Sequence, residues 1–239
     1  MAETAPSSRP LRERLALALD VPDLASARSL ARVLAPWFAV VKVGLELYVA
    51  EGPAAVATFV EDGLDVFVDL KLHDIPTTVH RAARAIAHTG ARYATVHAAG
   101  GAQMLAEAAA GFSEGAADAG RATPTIGLAV TVLTSDADPA PALVVERAAL
   151  AARAGLGGVV CAVADVRAVR AAVPGMITVV PGVRPRGVAR DDQSRAGTPE
   201  DALAAGADLL VVGRAVTRAE SPAAAARALA ETLESALPR

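Results

Sequence analysis

The sequence predicts an α/β protein built as a single (β/α)₈ TIM barrel. Eight short apolar runs of β type alternate with Ala-rich segments of helical spacing, and the 239 residues fit one such domain. Runs this continuously apolar are buried on both faces, as in a parallel sheet sheathed by helices. An open doubly wound sheet is the competing arrangement. Eight units in this length favour closure, and no GxGxxG follows the first strand.

Taken in chain order, residues 1–13 (MAETAPSSRPLRE) are polar and read as a flexible extension with no apolar stretch of signal-peptide type. The first strand is 14–20 (RLALALD), after which Asp23 is placed to start the helix LASARSLARVL. Strands two and three follow at 39–44 (AVVKVG) and 65–71 (DVFVDLK). Strand four is 93–98 (YATVHA), five is 125–133 (TIGLAVTVL), six is 158–162 (GVVCA), and seven is 176–182 (MITVVPG). The longest polar stretch comes next, 184–199 (RPRGVARDDQSRAGTP), and a functional loop suits it better than a linker. Strand eight is 209–213 (LLVVG), and Pro222 opens the last helix. No domain boundary interrupts the series.

Composition removes several classes of function. The net charge is −3 and the pI near 5.8, with no polybasic run to hold nucleic acid or an anionic membrane. No apolar run approaches the roughly 18 residues of a membrane span. Cys161, the sole cysteine, lies in GVVCAV and reads as a buried core thiol. A cytoplasmic protein is expected.

The positive charges are informative: 21 are Arg and only 2 are Lys, at Lys42 and Lys71. Both close apolar runs, and an ammonium can exchange a proton where a guanidinium effectively cannot. In a barrel the catalytic groups stand at the carboxyl ends of strands. Here those ends carry Asp20, Lys42, Asp69 with Lys71, His97 and Thr134. Each alone is explained by strand capping; five strands converging on one face are not. Asp69 and Lys71, two apart, point to the same side of their strand, and such charges must be paired or functional inside a barrel mouth. Asp74, two before Pro76, suits an N-cap and chemistry equally well. Late in the chain, strand seven runs into Pro181-Gly182-Val183-Arg184-Pro185 and strand eight into Gly213-Arg214, the two strand ends whose loops bind phosphate in many barrels. Glycine admits an anion to the backbone and arginine offers a fork of donors.

These residues together resemble the orotidine 5′-phosphate decarboxylase family. The resemblance rests on LALD (17–20), KVGLEL (42–47), DLKLHDIPTT (69–78), TVLTS (131–135), VVPGVRP (179–185), DDQSR (191–195) and VVGRAVT (211–217), in matching order and spacing over nearly the whole chain. It implies a barrel that decarboxylates orotidine 5′-phosphate without cofactor or metal, working as a homodimer with shared sites. It also implies a catalytic group of Lys42, Asp69, Lys71 and Asp74, with Lys71 as proton donor to C6 and Asp69 facing the departing carboxylate. By the same resemblance Asp20 and Lys42 hold the ribose, Asp74 and Thr78 reach it from the partner subunit, and Thr134 contacts the base. Gln193, Gly213 and Arg214 bind the phosphate, with Arg184 beside them. Two rivals are a Mg²⁺-dependent phosphosugar barrel, such as a hexulose-phosphate synthase, and a barrel that binds a nucleotide without catalysis. The wording HDIP and Gln193 count against the first, and intact Asp69 and Lys71 against the second.

Overall fold

A computed structural model describes residues 9–136, 139–184 and 197–236. Its strands are β1 (Leu15–Ala18), β2 (Val40–Gly44), β3 (Asp65–Leu72), β4 (Tyr93–His97), β5 (Ile126–Val130), β6 (Gly158–Val160), β7 (Ile177–Val180) and β8 (Leu209–Val212). All neighbouring pairs are parallel, and β8 returns to β1, so the sheet is a closed barrel in sequence order. The helices around it are α1 (Leu24–Leu34), α2 (Leu45–Glu51), α3 (Pro53–Glu61), α4 (Pro76–His88) and α5 (Gly101–Asp118). The ring continues with α6 (Pro141–Arg153), α7 (Val166–Ala172), α8 (Pro199–Ala205), α9 (Arg214–Thr217) and α10 (Pro222–Ala236). Asp23 starts α1 as expected, its carboxylate accepting the Ser26 N–H at 2.7 Å.

Strand side chains alternate between two apolar layers. Leu15, Leu17, Val41, Val43, Val66 and Val68 face the helices, in one continuous core with Leu34, Phe59 and Leu105. Ala16, Ala18, Val40, Phe67, Tyr93, Leu128 and Val211 face inward and fill the barrel. This double burial is why the strands read as unbroken apolar runs. Phe67 meets Tyr93 edge-on at 6.2 Å in the barrel interior. Cys161 is buried in the outer core, as expected.

All eight strands lie where the sequence places them, but several end earlier at the mouth. The run 125–133 yields β5 only to Val130, so Thr134 stands four residues beyond the strand rather than on it. The N-terminal segment also differs in part. Residues Leu11–Arg14 form a 3₁₀ turn, and the carbonyl of Arg12 accepts the Ala39 N–H at 2.9 Å. Arg14 is buried and donates to the Ala207 carbonyl at 2.9 Å, which ties this turn to the lead-in of β8.

Candidate active site

The inward alternation that fills the barrel also delivers the polar side chains at its carboxyl end. Two residues past Ala18 stands Asp20, past Val40 stands Lys42, past Phe67 stand Asp69 and then Lys71, and past Val211 stands Gly213. They line a cavity of about 510 Å³, floored by Phe67, Val130 and Val160. That volume lies in the range of sites for small molecules, roughly 300–1,000 Å³.

Asp69 is the hub of the charges. Lys71 Nζ donates to its Oδ1 at 2.8 Å, and Lys42 Nζ lies 3.7 Å from its Oδ2. Lys42 also donates to Asp20 at 3.1 Å. The lysines differ in exposure: the Lys42 side chain is 10% exposed and that of Lys71 34%. Burial pushes the Asp69 carboxyl up, but the two ammonium groups and the hydrogen bonds from Lys71 and Thr95 outweigh it. The group is held below its ordinary value and stays ionised. Among the described residues Asp69 is the carboxylate bonded to Lys71, and Asp74 does not line the cavity.

The backbone under Lys71 is unusual. Val68 pairs with Ala94 and Leu72 with Val96, so Asp69, Leu70 and Lys71 stand opposite Thr95 alone. This is a bulge of two extra residues. Within it Lys71 has φ of +52°, the one non-glycine positive φ among the described residues. A left-handed lysine costs about 1–3 kcal/mol, which the surrounding contacts must offset.

Gly44 answers a different need. Paired with Asp69 across β2 and β3, it leaves space for the Asp20–Lys42 pair. A Cβ there would lie 2.9 Å from Lys42 Nζ and 3.0 Å from Asp20 Oδ1. Gly44→Ala is therefore expected to lower kcat/KM by about 10–100-fold, the scale of a displaced charge near the chemistry, while the melting temperature changes little. Steady-state kinetics beside thermal unfolding check this; wild-type kinetics would mean the ion pair has slack.

The remaining predicted residues divide into three groups. Thr134, Arg184, Gly213 and Arg214 line the same cavity, with Arg184 buried. Asp74 and Thr78 are exposed and do not line it. Gln193 lies outside the described residues, as does most of the predicted 184–199 loop. The N-cap reading of Asp74 needs correction: Ile75 occupies the cap position of α4, without a side-chain bond, because Pro76 already fills the first turn. Asp74 instead accepts the Ile75 N–H at 2.6 Å. His97 also falls outside the cavity. It stacks on His73 at 5.4 Å, and its Nδ1 accepts the Ala99 N–H at 3.2 Å. Burial, then electrostatic repulsion from His73, Arg147 and Lys71, pushes its imidazole below the ordinary value.

Sequence reasoning did not single out four polar cavity residues: Glu46 on α2, Ser135 beyond β5, and Thr217 and Arg218, which follow Arg214 on and just after α9. It also missed Thr95, whose hydroxyl touches both halves of the Asp69–Lys71 pair. The signal for Thr95 was available: it stands two residues after inward-facing Tyr93, at the same alternation that yields Asp69.

Fold and site together define a class, a (β/α)₈-barrel enzyme whose mouth holds an alternating Asp–Lys–Asp–Lys chain facing a cavity with three arginines. The model of the orotidine 5′-phosphate decarboxylase / HUMPS family matches residues 13–229. Orotidine 5′-phosphate decarboxylase of Anaeromyxobacter sp. (strain K) is 52% identical over 232 residues, 92% of this chain and 98% of that protein. The enzyme of that name from Moorella thermoacetica is 48% identical over 235 residues, 93% of each. The crystal structure of orotidine 5′-phosphate decarboxylase from Lactobacillus acidophilus superposes with a TM-score of 0.77 at 31% identity, covering 92% of this chain and 99% of that one. The chain belongs to the orotidine 5′-phosphate decarboxylase / HUMPS family, and it is an enzyme of the decarboxylase branch. Among the described residues, no helix is long and apolar enough to cross a membrane.

Proposed function

We propose that the protein converts orotidine 5′-phosphate to uridine 5′-phosphate in the cytoplasm, as the last step of pyrimidine nucleotide synthesis, with Lys71 as proton donor. The observation that carries this reading is the Lys71 ammonium, fixed 2.8 Å from Asp69 at the edge of a nucleotide-sized cavity. In the reaction the bond between C6 and the carboxylate carbon breaks, CO₂ leaves, and the electron pair stays on C6. No adjacent carbonyl delocalises that pair. A positioned ammonium stabilises it and then transfers a proton to C6, leaving a neutral amine that solvent reprotonates.

Asp69 faces the substrate carboxylate and adds repulsion that CO₂ release relieves. Two charges about 4 Å apart at an effective dielectric of about 20 interact by roughly 4 kcal/mol. Enzymes lower barriers by roughly 8–23 kcal/mol, so stabilisation of the carbanion by Lys71 is the larger effect. Asp20 and Lys42 take the ribose and Thr134 the base, while Gly213, Arg214 and Arg184 take the phosphate together with Gln193. Asp74 and Thr78 serve the site of a partner subunit. Their exposure outside the cavity of their own chain supports this.

The deciding experiment follows the absorbance of orotidine 5′-phosphate with purified enzyme in EDTA. Steady bleaching is expected. No bleaching, or bleaching only after Mg²⁺ is restored, would transfer the protein to the metal-dependent phosphosugar barrels. Run at decreasing enzyme concentration, the assay also tests the dimer: specific activity should fall as subunits separate. Arg214→Ala is expected to lower kcat/KM by about 10–100-fold, mostly through KM, the scale of a charge-assisted hydrogen bond to phosphate of about 1.5–3 kcal/mol. An unaltered KM would place the phosphate elsewhere.

A further inference from the structure

We infer that Thr95 is a positioning residue for the Asp69–Lys71 pair, its hydroxyl replacing the strand partner that the β3 bulge removes. This inference rests on the proposed chemistry of Lys71. Across an ordinary parallel pair, the Lys71 N–H would donate to a backbone carbonyl of the neighbouring strand. Here it donates to Thr95 Oγ1 at 2.9 Å. The same oxygen donates its proton to Asp69 Oδ1 at 3.0 Å, the carboxylate atom that also receives the Lys71 Nζ proton at 2.8 Å. One hydroxyl thus holds the lysine by its backbone and the aspartate by its side chain, closing a ring from Lys71 N through Thr95 and Asp69 to Lys71 Nζ.

The roles are fixed by valence. A hydroxyl has one proton and two lone pairs. The carboxylate can only accept and the N–H can only donate, so each of the two bonds has one possible direction. Thr95 is 1% exposed, so water has little access to either bond if the hydroxyl is lost. Its place on β4 secures its own position, for Tyr93 to His97 pairs without interruption with Ile126 to Val130 on the far side. The regular strand β4 therefore serves as the template against which irregular β3 is pinned. Lys71 keeps its left-handed backbone because the bond that stabilises it is supplied from that neighbour.

Two substitutions separate this role from simple packing. Thr95→Val keeps the shape and removes the hydroxyl; Thr95→Ser keeps the hydroxyl and removes a methyl. If Thr95 positions the pair, the valine enzyme loses roughly 10²-fold in kcat with KM and uridine 5′-phosphate binding near wild type. The serine enzyme stays within a few-fold of wild type. The acid limb of kcat/KM for the valine enzyme moves upward, because Asp69 loses a donor that favours its ionised form. Wild-type kcat in Thr95→Val, or serine impaired as much as valine, would overturn the inference, since a packing role prefers the isosteric valine. The wild-type rate tests the proposed reaction separately. A crystal structure of Thr95→Val tests the inference without turnover: Lys71 should leave the left-handed region or Lys71 Nζ should leave Asp69, and retention of both would defeat it.

Discussion

Lys71→Ala is expected to bind uridine 5′-phosphate at close to wild-type affinity and to lose at least ~10⁴-fold in kcat. The estimate combines two contributions of the same ammonium. Proton delivery by a positioned acid accounts for about 10²–10⁴-fold. Stabilisation of developing charge by one fixed donor contributes about 10²–10³-fold. Alanine removes both, whereas the cavity floor of Phe67, Val130 and Val160 and the arginines are untouched. Single-turnover absorbance measurements with excess enzyme, beside calorimetric titration of the product, check the two halves of the prediction. Turnover within tenfold of wild type would remove the ammonium from the chemistry.

Asp69→Asn should have the next largest effect, about 10³-fold in kcat/KM. The carboxylate is the common counter-charge of Lys42 and Lys71, at 3.7 and 2.8 Å. Each such pair is worth roughly 4 kcal/mol at an effective dielectric of about 20, and every 1.36 kcal/mol is tenfold in rate. The loss of one pair's alignment thus accounts for the figure. The substitution also has a signature in stability. The folded-state value of Asp69 is depressed below its ordinary one of about 3.9. Its ionised form therefore stabilises the fold fully above the unfolded value, and that contribution disappears as pH falls through the lower folded value. Urea titrations from pH 7 downward should show this loss below pH ~4 in the wild type. The asparagine variant should lack that share of the slope. Identical slopes would mean that the two lysines do not depress Asp69.

The barrel was legible because its strands are buried twice, once against helices and once against each other's interiors, so apolarity marks them without interruption. Their upper ends were less legible. Val132 and Leu133 continue the apolar run of β5 but lie beyond the ladder, so Thr134 was assigned to a strand it only follows. Lys42, Asp69 and Lys71 could be singled out because ionic groups closing apolar runs conflict with burial. Thr95 drew no notice, since threonine is an ordinary strand residue and only the bulge opposite converts its hydroxyl into a partner for Lys71. Gly44 was hidden for a related reason: it serves by lacking atoms beside an ion pair whose geometry depends on three strands. The cap reading of Asp74 failed because proline at the first turn of α4 left its neighbour, Ile75, at the boundary.

The bulge in β3 has a further consequence for how this chain can change. Its surplus over β4 is two residues, an even number, so inside remains inside on either side of the irregularity. Loss of a single residue between Val68 and Leu72 would reverse the parity and turn the terminal charge toward the helices. Loss of two would restore a regular ladder with no room for the lysine at all. Length variation in this segment is thus confined to neither more nor less than it has, while the loops only a few residues away are under no such counting rule.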